Sequence, residues 1–573
     1  MNPEEYKKAG FWIRFKAIWI DTLIVIIGMK IFFFLILLQP LEFYFPLDLS
    51  TIIAGIIYSS LFIAFKGQTI GKEICGLSVI HKNDKPLGLF RILLRESIGK
   101  IISTVFLFGG FIWIAISKSK RGWHDYLSGS QVLQTVWINR KRSLVSFFIP
   151  LLITGFLFRA EIVDLITLYP KAIAFKIHPP KEPDYQNRDE HALKEVSSLT
   201  PDKDSVFVNW LDKHSKTPED YAIESAEQHQ VTLFGEMHDK KDNLDFLNKI
   251  IPALYHKAGV RYIAMECFPP EMNNKVKKLV TAKNYDRELA LEIARSNNWG
   301  IWVSKGYWDI FETVWKLNNS ISIESDKMNV VGISEKFDGP SLALLGIGDS
   351  PMSSPFWEKI RLYKLPATLF TLALSDEIMA VNIEKEIIET GKKAIVWIGA
   401  DHSFTHYAHV YSVMGKNRKF YRMGYLLHNK YGERIFQILM HHWYLSPTMD
   451  FKGVKMGDFV ERVLKKRSNE PVGFDLKNSP FANLRDKSCW YFFNQPKVNY
   501  NDIARGYIFL KPNRDMKSCK YMEGYISKEM FMRNKFFYEN FLQGKREEGL
   551  KDSIVKFRNF KEANAYYESI WNN

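Results

Sequence analysis

The sequence predicts two structural classes in one chain: an α-helical polytopic membrane domain, followed by an α/β domain with a mainly parallel sheet flanked by helices. Three observations lead to this prediction. Residues 17–38 form an apolar run long enough to span a bilayer of about 30 Å. From residue 231 onward, short apolar strands alternate with amphipathic helices, which is typical of a parallel sheet. At 573 residues, the chain is also too long for one ordinary domain.

Four apolar stretches define the expected membrane domain. They cover residues 17–38, 50–65, 101–117 and 143–158. We therefore expect a transmembrane domain over 1–142, a further transmembrane helix at 143–159, a linker at 160–225, and an α/β domain with a C-terminal extension over 226–573. This organisation is that of a multi-pass protein of a bacterial inner membrane, whose partner is the lipid bilayer.

The distribution of charge supports a membrane partner and argues against nucleic acid. The formal net charge is +15, and residues 1–142 contribute nine of these positive charges. Basic residues that flank apolar runs indicate membrane topology, whereas nucleic-acid binding needs a basic face on a soluble domain. The four cysteines form no CxxC pair and have no zinc-binding spacing, so neither a disulfide framework nor a cysteine-bound zinc is expected.

Polar side chains follow three predicted strands of the α/β region. Glu236 and His238 come after the apolar stretch 231–235, Glu266 ends the next strand, and His402 follows a third. Because the carboxyl ends of parallel strands meet at one edge of a sheet, we expect these four side chains to converge. Such a group can hold a divalent ion or activate a water molecule. Without a metal, a His–Glu pair can also act as a general base and the group that orients it.

Three histidines follow one another at helical spacing after the third strand. His402, His406 and His409 lie at i, i+4 and i+7, so on a helix they would face the same way. This spacing suits a metal, which makes His406 a reserve ligand, although the glutamate of an HExxH motif is missing. No G-x-S-x-G segment accompanies the site, so serine esterase chemistry is not expected.

The first region resembles the RDD family of small polytopic membrane domains. The matching residues are Arg14, Asp21, Thr69–Lys72, Gly76–Leu77 and Gly122–Asp125, and the resemblance covers about residues 8–135. It implies a membrane domain, and transport is suspected in some members of that family.

The second region resembles the superfamily that contains ChaN-like, erythromycin-esterase-like and TIKI/TraB proteins. The matching segments are Leu233–Asp239, Ala264–Phe268, Asp376–Asn382 and Val396–His402, within about residues 228–445. The resemblance implies metal-dependent proteolysis, opening of a macrolactone or binding of haem, depending on the branch. Carried over by position, Glu236, His238, Glu266 and His402 form the catalytic or ligand set.

The function expected from these patterns is hydrolysis of an ester or peptide bond in a small-molecule or peptide substrate, either metal-dependent or by His/Glu general-base catalysis. A haem- or metal-binding protein of iron uptake is the alternative, so the cofactor is left open between a divalent metal and haem. A second alternative is a membrane transporter with a regulatory soluble domain, because Asp21 interrupts the first apolar run.

Overall fold

The computed structural model describes residues 7–37, 49–105, 109–135, 140–157, 163, 166–178, 180–296, 300–334, 374–413, 416–442, 455–492, 495–533, 542–543, 554–555 and 557–572. The chain divides into two compact units, the first ending at Ile166 and the second beginning at Thr167. The second unit therefore includes most of the segment 160–225, which we expected to be a linker.

The first unit combines helices with a small antiparallel sheet. Its elements are β1 (Lys7–Lys8), α1 (Phe11–Leu37), α2 (Leu49–Lys66), α3 (Ile70–Ile74), β2 (Leu77–His81), α4 (Leu89–Leu94), a π-helical turn (Arg95–Gly99), α5 (Lys100–Val105), α6 (Gly109–Ile116), α7 (Trp123–Ser128), β3 (Ser130–Gln134) and α8 (Arg140–Leu157). Strand β3 lies between β1 and β2 and pairs antiparallel with both.

The prediction of a polytopic helical membrane domain is wrong for the part of the chain that the structure describes. None of the helices there has both the length and the apolar composition required to cross a bilayer. Helix α8, which covers most of the expected run 143–158, begins with three consecutive basic residues.

A buried ion pair joins the first helix to α7. The Nη1 atom of Arg14 donates to Oδ2 of Asp125 at 2.6 Å, and both side chains are almost completely buried. Nη2 of Arg95 contacts the other oxygen of the same carboxylate at 3.0 Å. Arg14 and Asp125 both belong to the segments that resemble the RDD family, and the fold brings them together across 111 residues of sequence.

Asp21 anchors α3 against α1. Its Oδ1 accepts hydrogen bonds from the Tyr58 hydroxyl at 2.8 Å and the Gly71 amide at 2.7 Å, and its Oδ2 accepts from Thr69 Oγ1 at 2.5 Å. A β-carbon at Gly71 would lie 2.3 Å from the Ala17 carbonyl oxygen, so only glycine permits this contact. These bonds link α1 to Tyr58 of α2 and to the start of α3 through one carboxylate.

The second unit is a mixed α/β domain. Its helices are α9 (Tyr169–Ile177), α10 (Asp204–His214), α11 (Pro218–Gln228), α12 (Lys241–His256), α13 (Asn273–Thr281), α14 (Arg287–Ala294), α15 (Lys305–Asn319), α16 (Ser375–Glu386), α17 (Ala400–Ser403), α18 (Met423–Tyr431), α19 (Lys455–Lys465), α20 (Tyr500–Ile503), α21 (Lys528–Arg533) and α22 (Phe560–Asn572). Its strands are β4 (Lys194–Glu195), β5 (Val231–Glu236), β6 (Val260–Met265), β7 (Asn329–Gly332), β8 (Lys393–Gly399), β9 (His409–Val413), β10 (Lys416–Phe420), β11 (Ile435–Met440), β12 (Val472–Asp475), β13 (Leu484–Arg485), β14 (Gly506–Phe509), β15 (Leu542–Gln543) and β16 (Ile554–Val555).

Seven of these strands form the main sheet, in the order β12-β14-β11-β5-β8-β6-β7. All neighbouring pairs are parallel except β12 with β14. Strand β8 lies between β5 and β6, and Glu236 at the end of β5 pairs in register with Gly399 at the end of β8. The carboxyl ends of these three strands therefore lie side by side.

Helices cover both faces of the sheet. Side chains alternate between the two faces along each strand, so neighbouring residues pack into different cores. Phe234 packs into the core formed with α12 and α15, whereas Leu233 packs into the core formed with α16 and α18. The C-terminal extension contributes β12 and β14 to one edge of the sheet. Another of its segments pairs Ser518 with Lys240 and Tyr521 with Ser304, close to the end of β5.

Candidate functional site

The end of β5 delivers a carboxylate and an imidazole to the same point. Glu236 is buried, and its Oε1 lies 2.7 Å from Nδ1 of His238. The same oxygen accepts a hydrogen bond of 2.7 Å from the hydroxyl of Tyr307 on α15. Gly235 lets the strand approach α17, since a β-carbon there would lie 2.3 Å from Oγ of Ser403.

A second carboxylate reaches the same imidazole from the neighbouring strand end. Glu266 directly follows β6, and its Oε1 lies 3.4 Å from Nε2 of His238. This oxygen also accepts a hydrogen bond of 2.7 Å from the amide of Gly399 at the end of β8. A β-carbon at Gly399 would lie 2.9 Å from Nε2 of His238, so glycine is required for this arrangement.

The two carboxylates keep His238 protonated. Burial alone disfavours the imidazolium, but Glu236, and more weakly Glu266 and Asp401, outweigh it and raise the pKa of His238 to about 9. The side chain of His238 is 31% exposed, so the charged ring remains accessible to a ligand. At neutral pH, the His238 ring therefore carries a positive charge between the side chains of Glu236 and Glu266.

A second histidine, which follows the end of β8, is held by a carboxylate from α16. Nδ1 of His402 on α17 lies 2.7 Å from Oδ1 of Asp376 on α16. Asp376 also accepts hydrogen bonds from the Met423 amide at 2.8 Å and from Nη1 of Arg422 at 2.9 Å. Burial favours the neutral acid, yet His402 and Arg422 hold the pKa of Asp376 well below its usual range. Asp376 in turn raises the pKa of His402 against the effect of burial.

Asp401 links this second pair to the C-terminal extension. Its Oδ1 accepts a hydrogen bond of 2.7 Å from the hydroxyl of Tyr491, and its Oδ2 lies 3.9 Å from Nη2 of Arg422. Asp401 also raises the pKa of His238, and Glu266 raises the pKa of His402. Each histidine–carboxylate pair therefore lies within the electrostatic reach of an acidic group of the other strand end.

Of the four predicted site residues, His238 contacts both Glu236 and Glu266, and His402 directly follows the end of β8. Sequence reasoning missed three further groups: Tyr307, Asp376 and Arg422. Tyr307 lies in an aromatic segment that is indistinguishable from core by composition. Asp376 begins a segment that resembles the esterase-like members, and this resemblance could have identified it as a site residue. No feature of the sequence marks Arg422 as part of the site.

The expected helix through His402, His406 and His409 is not formed. Helix α17 ends at Ser403, the backbone at Phe404 is extended, and His409 begins β9. Nδ1 of His406 lies 2.8 Å from Oγ1 of Thr405, and burial lowers the pKa of His406 to about 2. The structure therefore does not align the three histidines as metal ligands.

A resident metal ion does not fit the residues that the structure brings together. Within the described ranges, no three His, Cys, Asp or Glu side chains are arranged to hold one. The nitrogens of His238 face Glu236 and Glu266 instead of a shared central point.

Two protein-family models match the chain. The RDD family model matches residues 8–129, and the model described as haem-binding uptake, Tiki superfamily, ChaN matches residues 222–322. Both matches agree with the resemblances found in the sequence.

Relatives of known sequence match the first region. The uncharacterized protein YckC of Bacillus subtilis (strain 168) is 32% identical over 133 residues, which are 22% of this chain and 85% of the relative. The uncharacterized membrane protein YteJ of the same organism is 32% identical over 140 residues, covering 22% of this chain and 80% of that protein.

Solved structures similar to the chain include ChaN of Campylobacter jejuni with cofacially bound haem, at 11% identity and a TM-score of 0.22, covering 40% of this chain and 87% of that one. They also include a mutant of the erythromycin esterase EreC in its open conformation, at 11% identity and a TM-score of 0.36, covering 52% of this chain and 94% of that one. The first region belongs to the RDD family, whose model matches residues 8–129, and residues 222–322 match the model described as haem-binding uptake, Tiki superfamily, ChaN.

Proposed function

We propose that the second unit hydrolyses an ester or peptide bond, with His402 as general base and the His238 imidazolium as proton donor. The observation that carries this proposal is that each histidine is held by a carboxylate through its Nδ1 atom, His238 by Glu236 and His402 by Asp376. A carboxylate behind Nδ1 fixes each ring. Nε2 of His402 is then left to face the reacting group, whereas Nε2 of His238 lies 3.4 Å from Oε1 of Glu266 on a side chain that is 31% exposed.

His402 suits the role of the base. Its Nε2 atom has no hydrogen-bond partner in the part of the chain that the structure describes, and its side chain is 26% exposed. In the proposed reaction, Nε2 takes a proton from water, and the oxygen of that water attacks the carbonyl carbon. Asp376 stabilises the imidazolium that forms, because Arg422 and the amide of Met423 keep its carboxylate ionised.

His238 suits the role of the acid, because its pKa of about 9 keeps the ring charged at neutral pH. The imidazolium stabilises the negative charge on the carbonyl oxygen of the tetrahedral intermediate. It then gives its proton to the leaving oxygen or nitrogen as the bond to the carbonyl carbon breaks. The proton held by His402 returns to His238 through solvent, and the site is restored.

The first unit supports association of the protein with a membrane. Large apolar side chains that are exposed in the described ranges lie almost entirely in residues 12–166, and the exceptions are Ile177, Val206, Ile323 and Met532. Apolar surface of this extent is typical of a lipid-contacting region and not of a domain surrounded by water. The relative YteJ is itself described as a membrane protein.

Haem binding is the second candidate, because the matching family model is described as haem-binding uptake. The fitting ligand is His402, whose Nδ1 is bound by Asp376 as in many metal-ligating histidines. His238 fits poorly, since both its nitrogens face carboxylates. Titration with haem should then shift the Soret band away from that of free haem, and His402→Ala should abolish this shift whereas His238→Ala should retain it.

The full-length protein in detergent, assayed with a panel of aryl esters and fluorogenic peptides, tests the hydrolase proposal. We expect hydrolysis that His402→Ala abolishes and that His214→Ala leaves unchanged. His214 is an exposed histidine of α10 and serves as the matched control. Hydrolysis that survives His402→Ala would contradict the proposal, as would a haem-dependent Soret band together with no hydrolysis of any member of the panel.

A further inference from the structure

The hydroxyl group of Tyr307, in the first turn of α15, contacts three groups around His238. It donates a hydrogen bond of 2.7 Å to Oε1 of Glu236 and accepts one of 3.2 Å from the backbone amide of Asp239. The same oxygen lies 3.4 Å from Nδ1 of His238. Tyr307 is buried, so solvent competes little for these contacts. One hydroxyl group therefore touches the carboxylate, the imidazole and the peptide that follows the imidazole.

The backbone of Asp239 is held in an uncommon conformation. Its φ angle is +66°, in the left-handed region that residues other than glycine seldom adopt. Its amide donates to Tyr307, its carbonyl oxygen accepts from the amide of Cys519, and its Oδ1 accepts from Oγ of Ser304 at 2.7 Å. Such a conformation persists where the surrounding structure holds it. Because Asp239 directly follows His238, these contacts also fix the backbone that carries the imidazole.

One segment of the C-terminal extension, residues 517–522, connects the loop after β5 to the start of α15; we call it the bridging segment. Four backbone hydrogen bonds of 2.8 to 3.2 Å make this connection: Lys241 N–H to Lys517 C=O, Cys519 N–H to Asp239 C=O, Lys305 N–H to Lys520 C=O and Met522 N–H to Val303 C=O. The first two hold the loop that follows His238, and the other two hold the start of the helix that carries Tyr307. The bridging segment therefore sets the position of Tyr307 relative to that loop.

Cys519 is the residue of the bridging segment that packs against α15. A β-carbon at Gly306 would lie 3.1 Å from the Sγ atom of Cys519, which is buried in the same core as Tyr307. Extra volume in a well-packed core displaces its neighbours. A larger side chain at position 519 would therefore push against the helical turn that carries Tyr307.

We propose that Tyr307 is a positioning residue for the His238–Glu236 pair and that the bridging segment keeps its hydroxyl group in place. The hydroxyl holds the Glu236 carboxylate against Nδ1 and, through Asp239, holds the backbone next to His238. The use of this pair as a proton donor rests on the hydrolase proposal, whereas the ionisation of His238 reports on its positioning whether or not a substrate is hydrolysed.

Tyr307→Phe in the full-length protein tests this role, because it removes only the hydroxyl group. Titration of ¹³C-labelled histidine by NMR, with His238→Ala assigning the resonance, should show the pKa of His238 falling from about 9 to about 8 or lower, since Glu236 is no longer held against the ring. Tyr525→Phe, at a buried tyrosine of the same core, is the matched control and should leave this pKa unchanged. On any substrate that the wild-type protein hydrolyses, Tyr307→Phe should lower kcat more than it raises KM.

Two variants of Cys519 test the bridging segment with Tyr307 intact. Cys519→Leu should lower the pKa of His238 in the same direction as Tyr307→Phe, whereas Cys519→Ala keeps the backbone hydrogen bonds and should leave it near 9. Circular dichroism checks that each variant folds. If Cys519→Leu does not fold, Tyr307→Phe decides the question.

An unchanged or higher pKa of His238 in Tyr307→Phe would overturn the positioning role of the hydroxyl group. An unchanged pKa in a folded Cys519→Leu protein would remove the bridging segment from it. A lowered pKa in both variants, together with a wild-type protein that hydrolyses nothing, would support the positioning role and contradict the hydrolase proposal alone.

Discussion

The charge on His238 gives a prediction with a defined size and sign. Its pKa is raised from 6.5 to about 9. At about 1.4 kcal/mol per unit of pKa shift, the raised pKa of His238 corresponds to roughly 3 kcal/mol of stabilisation of the folded state. Since the side chain is 31% exposed, screening by solvent reduces the figure to roughly 2 kcal/mol. Glu236→Gln removes the main cause, so the pKa of His238 should fall to 6.5 or below.

The pH dependence of this effect follows from the direction of the shift. Because the pKa is higher in the folded state, the stabilisation is fully present below pH 6.5 and disappears as the pH rises through about 9. Glu236→Gln should therefore lower the free energy of unfolding by roughly 2 kcal/mol at pH 6, and by much less at pH 10.

Titration of ¹³C-labelled histidine by NMR measures the pKa directly, with His238→Ala assigning the resonance. Urea unfolding at pH 6 and pH 10 measures the stability. Glu271→Gln, at an exposed glutamate of the same unit, is the matched control. A pKa of His238 near 6.5 in the wild-type protein, or a pKa that stays near 9 in Glu236→Gln, would contradict this prediction.

Three further predictions concern other contacts. Asp376→Asn removes the carboxylate behind His402, so the pKa of His402 should fall in an NMR titration and hydrolysis should drop by about 10⁴-fold; an unshifted pKa would contradict this. Gly399→Ala places a methyl group against the His238 ring, and urea unfolding should detect a loss of about 1–3 kcal/mol, whereas unchanged stability would show that the site relaxes freely. Arg14→Leu leaves Asp125 with one buried cation fewer, and thermal unfolding followed by circular dichroism should report a loss of about 3–5 kcal/mol; a neutral effect would mean that Arg95 compensates.

The strand ends of the site could be predicted because they are local features of the sequence. Glu236, His238 and Glu266 directly follow apolar strands, and a parallel sheet brings such positions to one edge. Their partners come from distant parts of the chain. Tyr307 reaches Glu236 from 71 residues away and Arg422 reaches Asp376 from 46 residues away, so only tertiary packing identifies them.

The structure does not contain the helix predicted from the spacing of His402, His406 and His409, and its described helices do not include the predicted membrane spans. The histidine spacing from His402 to His409 suits a helix, but α17 ends after four residues and the chain turns into a strand. In the first unit, apolar composition suggested spanning helices, whereas Asp21 and Arg14 are fixed by partners in α2, α3 and α7. Such pairing is invisible to a count of apolar residues.

The pH dependence of kcat/KM on a cleaved ester or peptide tests the proposed reaction most directly. If His402 acts as base and the His238 imidazolium as acid, the profile is bell-shaped, with an alkaline limb near pH 9 that Glu236→Gln moves to lower pH. An alkaline limb that Glu236→Gln leaves in place, or a rate that does not change between pH 6 and pH 10, would contradict this account of the site.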